Sequence, residues 1–93
     1  MELDLHQLDR RNEALRRRNP LRERRLLASL AQHGQQLPIV VVGGESGPSV
    51  VDGYKRVRAL ETLRQDVVLA TQWDLAEPDA LVLEWLMRDG DRA

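Results

Sequence analysis

The segment Val50-Val51-Asp52-Gly53-Tyr54-Lys55-Arg56-Val57-Arg58-Ala59 constrains this chain more than any other. Its apolar run stops at an acid and a glycine, and beyond them Val57, Leu60 and Leu63 recur at helical spacing. The period of the pattern changes across two residues, so a strand must pass directly into a helix there. A helix start carries unpaired N–H groups and the positive end of the macrodipole, which attract anions. Lys55, Arg56 and Arg58 fill the first two turns, where acidic side chains are ordinarily favoured. A junction that breaks this local preference is where function is to be sought. A phosphate group is the simplest resident that would repair its electrostatics.

The flanking sequence supplies further elements. Residues 2–8 alternate polar and apolar, which predicts a short half-buried strand. Residues 9–18 are charged, with Leu15 the only large apolar side chain, and read as irregular structure or a loosely held turn. Asn19-Pro20 reads as an N-cap followed by proline at the first helical position, opening a helix over 20–33. Leu26, Leu27, Leu30 and Ala31 form its expected buried stripe, and Gly34 its C-terminal cap. The β-branched run Ile39–Val42, between Pro38 and Gly43-Gly44, predicts a buried strand. Gly43 to Pro48 then turns, and Ser49–Asp52 returns as its hairpin partner. The helix opened by Gly53 is expected to end near Arg64. Val67–Trp73 reads as a third core strand, and Glu77-Pro78 opens a last helix facing the core with Leu81, Val82, Trp85 and Leu86. The order strand, helix, strand, strand, helix, strand, helix describes one α/β (α+β) domain over 1–93, with an N-terminal strand and basic segment over 1–18 and a charged tail over 89–93.

Composition narrows the possible chemistry. Ninety-three residues with 42% apolar content support a single core. With Tyr54, Trp73 and Trp85 as the only aromatics, that core must be Leu, Val, Ile and Ala, and the tryptophans are expected at its packing or rim. The absence of cysteine excludes disulfides, a thiol nucleophile and a thiolate metal site. No apolar run approaches the roughly 20 residues of a membrane span, and no signal-peptide core opens the chain. Cytoplasmic location is the default. The formal net charge of −1 hides an asymmetry. Eight of 14 basic residues are arginines between positions 10 and 25, whereas from Asp74 onward six acids face two arginines. The basic region suits either a polyanion such as DNA or RNA, or a solvated arginine-rich face. His6 and His33 lack spaced metal-ligating partners and read as surface positions.

Three blocks in this order resemble the N-terminal domain of the ParB family, within the wider ParB/sulfiredoxin fold. Gly34-Gln35-Gln36-Leu37-Pro38-Ile39-Val40-Val41 is similar to that family's Gly…Gln-Pro-Ile-Val-Val block, with Leu37 inserted between glutamine and proline. Gly53-Tyr54-Lys55-Arg56-Val57-Arg58-Ala59 resembles its Gly-Glu-Arg-Arg-x-Arg-Ala block, and Glu84-Trp85-Leu86-Met87-Arg88 its Glu-Asn-Leu-Gln-Arg block. The resemblance covers roughly residues 2–90 and implies a small mixed sheet with about three helices. It implies CTP or another nucleotide as ligand, with Gln36, Pro38 and Ile39 beside the base. The triphosphate would lie on Gly53, Tyr54, Lys55, Arg56 and Arg58, while Glu84 and Arg88 would close the site near a divalent cation, Mg²⁺. It further implies a homodimer promoted by nucleotide. ParB proteins read DNA chiefly with a helix-turn-helix domain that follows this one, and 93 residues leave no room for it. DNA contact would therefore come through a separate domain or partner, in partition or regulation.

Departures from the family pattern sharpen the reading. Tyr54 stands for a glutamate and Lys55 for an arginine, which reduces bidentate phosphate gripping. Trp85 replaces an asparagine near the metal, and an indole cannot ligate Mg²⁺. Binding is therefore expected over turnover, with Asp52 and Glu84 the candidate catalytic groups if hydrolysis occurs. Sulfiredoxin chemistry is excluded, since its cysteine position is Tyr54. The free-serine kinases of this fold carry Asp-Gly-His-His-Arg, of which Asp52-Gly53-Tyr54-Lys55-Arg56 keeps three residues. Their upstream glutamate aligns with Arg16 and Arg17, so the phosphotransferase alternative loses its base. Beside these readings stand plainer ones: Asp52 as the helix cap or a turn former, and Glu84–Arg88 as an i, i+4 surface ion pair.

Overall fold

Helix α1 spans Pro20–His33 for the reasons its sequence offers. Asn19 Oδ1 accepts the Arg22 N–H, Pro20 takes the first position, and Gly34 closes the helix by donating its N–H to Leu30 O at 2.9 Å. A computed structural model describes residues 1–13 and 18–91, the last four as helix backbone alone. Leu15, Arg16 and Arg17 lie outside the described residues. The other elements are strand β1 (Glu2–Asp4), β2 (Ile39–Gly44), β3 (Gly47–Asp52), helix α2 (Tyr54–Thr62), β4 (Val67–Gln72) and α3 (Glu77–Asp91).

The strands form one mixed sheet in the order β1-β4-β2-β3. Strand β2 runs antiparallel to β3 and parallel to β4, and β1 pairs antiparallel with β4. The hairpin turn is tighter than the Gly43–Pro48 stretch suggested, because Gly44 still pairs with Gly47 and only Glu45-Ser46 form the loop. Just ahead of β2, the Gln35 side-chain amide donates to Leu69 O and accepts the Leu69 N–H, so it extends the pairing of β4.

Burial explains the unbroken valine run. Ile39 and Val41 join Leu30, Val50, Tyr54, Val57, Leu60, Val68 and Ala70 in the core under α1 and α2. Val42 packs with Val51 and Ala80 on the opposite face, beside Val40, Trp73 and Leu81, under α3. Strand β2 is thus apolar toward both faces. By contrast, β4 alternates, with Val68 and Ala70 buried and Val67 and Leu69 exposed. It contributes to the core as expected, but through one face only, because α3 packs chiefly on β2 and β3.

Four boundaries or faces depart from expectation. Strand β1 ends at Asp4, whose carboxylate accepts the His6 N–H and curls Leu5–Gln7 into a 3₁₀ turn. The chain then rejoins the sheet beside β3, where Asp9 donates its N–H to Pro48 O and accepts the Val50 N–H. Ala31 is exposed, since it lies a further 100° around α1 from buried Leu30. Among the described side chains of α3 the buried ones are Ala80 and Glu84, four apart, while Val82, Trp85 and Leu86 face outward with Leu83 and Met87. Small Ala80 lets the helix approach Val42 and Val51, and that contact selects the face. Trp85, 60% exposed, is therefore not a core residue. Helix α2 stops at Thr62, two residues early, in a Schellman cap: Gln65 N–H donates to Leu60 O and Arg64 N–H to Glu61 O, with Arg64 at φ 58°.

Gly53 leaves no room for a side chain between the start of α2 and β2. Its φ is +105°, and a Cβ there would lie 2.5 Å from Ile39 Cγ2. Gly34 also has positive φ, +74°, but a Cβ there would meet nothing within 4 Å. Gly53→Ala is expected to cost roughly 2–5 kcal/mol, the sum of backbone strain and overpacking. Gly34→Ala should lose only about 1–3 kcal/mol from strain. Urea unfolding of both variants measures the difference, and equal losses would show that Ile39 yields to the added methyl.

Candidate functional site

The junction between β3 and α2 is built from the features that make a sheet turn into a helix. A register shift between Val40 and Val41 leaves Val40 opposite Asp52 and Val41 opposite Val50, so Val51 bulges just before the turn. Gly53 is the residue that caps α2, and among the described residues no side chain caps the helix start. Asp52 is therefore not the helix cap; it ends β3, half-buried and paired with Val40. No acid occupies the first turn of α2. The block over 34–41 and the block over 53–59 meet here, because Ile39 lies directly beneath Gly53.

The side chains expected at this junction separate into groups. Lys55 and Arg56 are half-buried, and among the described residues neither has an ion-pair partner. Gln36 and Pro38 are exposed, and Ile39 is fully buried as the floor under Gly53. The Tyr54 ring points into the core, 3% exposed, and its hydroxyl donates to Val50 O. The Tyr54 side chain is thus part of the core.

Arg58 sits in a different environment. Its Nε donates to Glu23 Oε1 at 2.8 Å and its Nη1 to Glu13 Oε1 at 3.0 Å. Glu13 also accepts from Arg10, which reaches on to Glu61, and Glu23 accepts from Arg18. The result is a chain of alternating charge, Glu61–Arg10–Glu13–Arg58–Glu23–Arg18, that ties residues 10–13 and α1 to α2. Burial would raise the Glu13 carboxyl, but hydrogen bonds from Arg10 and Arg58 outweigh it and hold Glu13 below the ordinary carboxylate value. The Arg18 and Arg58 hydrogen bonds likewise hold Glu23 low. Glu13 and Glu23 were not singled out from the sequence; the available signal was three acids, Asp9, Glu13 and Glu23, spaced among the arginines of 10–25. The basic segment is thereby partly neutralised. Lys55, Arg58, Glu23, Arg24 and Arg18 share a cleft of about 750 Å³ between α1 and α2.

The third block lies on α3, which packs chiefly on β2 and β3 across the sheet from that cleft. Glu84 is buried, 7% exposed, and Trp85 is exposed; the Arg88 side chain, and with it the expected Glu84–Arg88 pair, lies outside the described residues. Among the described residues no three His, Cys, Asp or Glu converge to hold a metal ion. His6 and His33 are exposed. No helix among the described residues is long and apolar enough to cross a membrane.

Solved structures share this architecture. The C-terminally truncated chromosome-partitioning protein ParB from Caulobacter crescentus, complexed with CTP-gamma-S, superposes with a TM-score of 0.80 at 21% identity over 95% of this chain and 51% of its own. Sulfiredoxin from Arabidopsis thaliana matches at TM-score 0.74 and 22% identity, over 85% of this chain and 89% of its own. A free serine kinase in complex with AMP matches at 0.66 and 17%, over 80% and 30%. The present chain spans about half the length of that ParB structure. No family model matches the sequence, and no curated protein matches it significantly. The chain has the ParB/sulfiredoxin-like fold, α+β with three α-helices and a four-stranded mixed sheet among the described residues.

The depressed carboxylates fix the sign of a pH effect. A lowered folded-state value stabilises the protein above the unfolded value of about 4.3 and loses that contribution as pH falls through the folded value. The melting temperature is expected to drop on acidification below about pH 4.3, and to drop less in Glu13→Gln/Glu23→Gln. Identical acid profiles by circular dichroism melting would remove the network from the account of stability.

Proposed function

We propose that this domain is a nucleotide-binding switch module, taking CTP or another nucleoside triphosphate at the start of α2, in a DNA-associated process such as partition or regulation. The observation that carries the reading is the glycine-capped first turn of α2, which holds Lys55 and Arg56 without acidic partners among the described residues. Backbone N–H groups around Gly53 and Tyr54 and these two cations suit the phosphates, with the exposed Gln36 and Pro38 toward the base. The shared fold with a ParB complexed with CTP-gamma-S supports the choice of ligand. Mg²⁺ would be held by the phosphates and water, since Trp85 offers no oxygen ligand and no carboxylate cluster converges among the described residues. The reading is binding over turnover, because Lys55 reduces bidentate phosphate gripping and Trp85 offers no oxygen ligand to a metal. DNA contact would come through a separate domain or partner, and the working compartment is the cytoplasm.

The partner surface in this reading is α3. Val82, Leu83, Trp85, Leu86 and Met87 are each at least 41% exposed, so the helix is apolar well beyond the face it buries. Such a helix is ordinarily covered, and a homodimer favoured by nucleotide would cover it. Linkage requires only that the ligand bind the dimer better than the monomer.

Two measurements test these claims. In isothermal titration with CTP, ATP and GTP, with and without Mg²⁺, at least one nucleotide should bind, and Lys55→Ala and Arg56→Ala should each weaken it about tenfold or more, the value of a charge-assisted hydrogen bond. The absence of heat with every nucleotide would overturn the reading, and phosphate release lost in Asp52→Ala would turn it toward a nucleotide hydrolase. In sedimentation velocity, nucleotide should shift the chain toward a dimer, and Trp85→Asp or Leu86→Asp should restore the monomer. A chain that stays monomeric in saturating nucleotide would remove α3 as the interface.

A further inference from the structure

We infer that Glu13 and Glu23 form a built-in carboxylate clamp that competes with the ligand's phosphates for Arg58, so that ligand binding loosens α2 from α1 and from residues 10–13, which keep the Arg10–Glu61 pair. This inference rests on the nucleotide reading above and extends it to the regulation of that site. Arg58 has five N–H donors, and the clamp engages two of them, at 2.8 and 3.0 Å, while two carboxylates oppose its charge. Lys55 and Arg58 are three residues apart on one face of α2, with Cβ atoms about 5–6 Å apart at helical spacing. They also line the same cleft as Glu23. A polyphosphate seated on Lys55 is therefore within one helical turn of Arg58 and faces the clamp's negative charge.

The clamp is built to let go. Glu13 keeps Arg10 and Glu23 keeps Arg18 when Arg58 leaves, so neither acid is left bare. A carboxylate stranded without its cation would make release costly; here each has a second arginine already in contact. The two arrangements of Arg58, on carboxylate or on phosphate, exchange one pair of charge-assisted hydrogen bonds for another. Glu13 belongs to the segment whose Asp9 pairs with Pro48 and Val50 beside β3, so loss of the Glu13–Arg58 pair weakens the hold on that segment.

The test is titration calorimetry with inorganic tripolyphosphate and with CTP, on the chain and on Glu13→Gln/Glu23→Gln. The double variant should bind both ligands roughly three- to tenfold more tightly, the range set by two partly exposed ion pairs. Adding Arg58→Gln should abolish the gain. Glu13→Gln alone, which leaves Glu23 on Arg58, gives a smaller gain and serves if the double variant does not fold. Equal or weaker binding by the glutamate variants, with the unmodified chain still binding CTP, overturns the clamp and leaves the nucleotide reading standing. No binding of either ligand by any form overturns both.

Discussion

Strand β2 is hydrogen-bonded along both edges and buried toward both faces, and the other elements take their positions from it. Its parallel partner β4 and antiparallel partner β3 leave its backbone groups paired within the sheet, as burial demands. Ile39 and Val41 anchor α1 and α2 on one side, and Val42 receives Ala80 of α3 on the other. Ile39 also lies where a side chain on residue 53 would have to go, so the path from sheet into α2 is unstrained only with glycine there. The floor of the hydrophobic core and the floor of the candidate site are the same residue.

That shared floor explains how the cationic block over 55–58 comes to serve two ends. Residues 54 and 57 are buried, and the helix then carries Lys55 and Arg58 to one face and Arg56 to another. Arg58 meets acids from α1 and from residues 10–13, and becomes the centre of a neutralising network. Lys55 and Arg56, closer to the helix start, have no ion-pair partner among the described residues. Net charge near zero for the whole chain conceals this local separation.

The same geometry accounts for the last helix. Its apolar residues run almost without interruption from Ala80 to Met87, a pattern that fixes no single face. Contact with the valines of β2 and β3 favours the smallest residue available, so Ala80 goes inward and carries Glu84 with it. The larger side chains are left outside, where they form the apolar surface assigned above to a partner.

The sequence by itself determined what local chemistry controls. Asn19, Pro20 and Gly34 marked the ends of α1, the Ile39–Val42 run marked a buried strand, and the change of period at Asp52-Gly53 marked the turn into α2 with its anion-attracting start. These signals lie within a few residues of what they specify. Only the tertiary structure decided which of several apolar faces α3 would bury, that Tyr54 would enter the core, and that Arg58 would be held by Glu13 and Glu23, 45 and 35 residues away. Each of those outcomes depends on which side of the sheet an element packs and what arrives opposite it, and no local period or charge pattern carries that information.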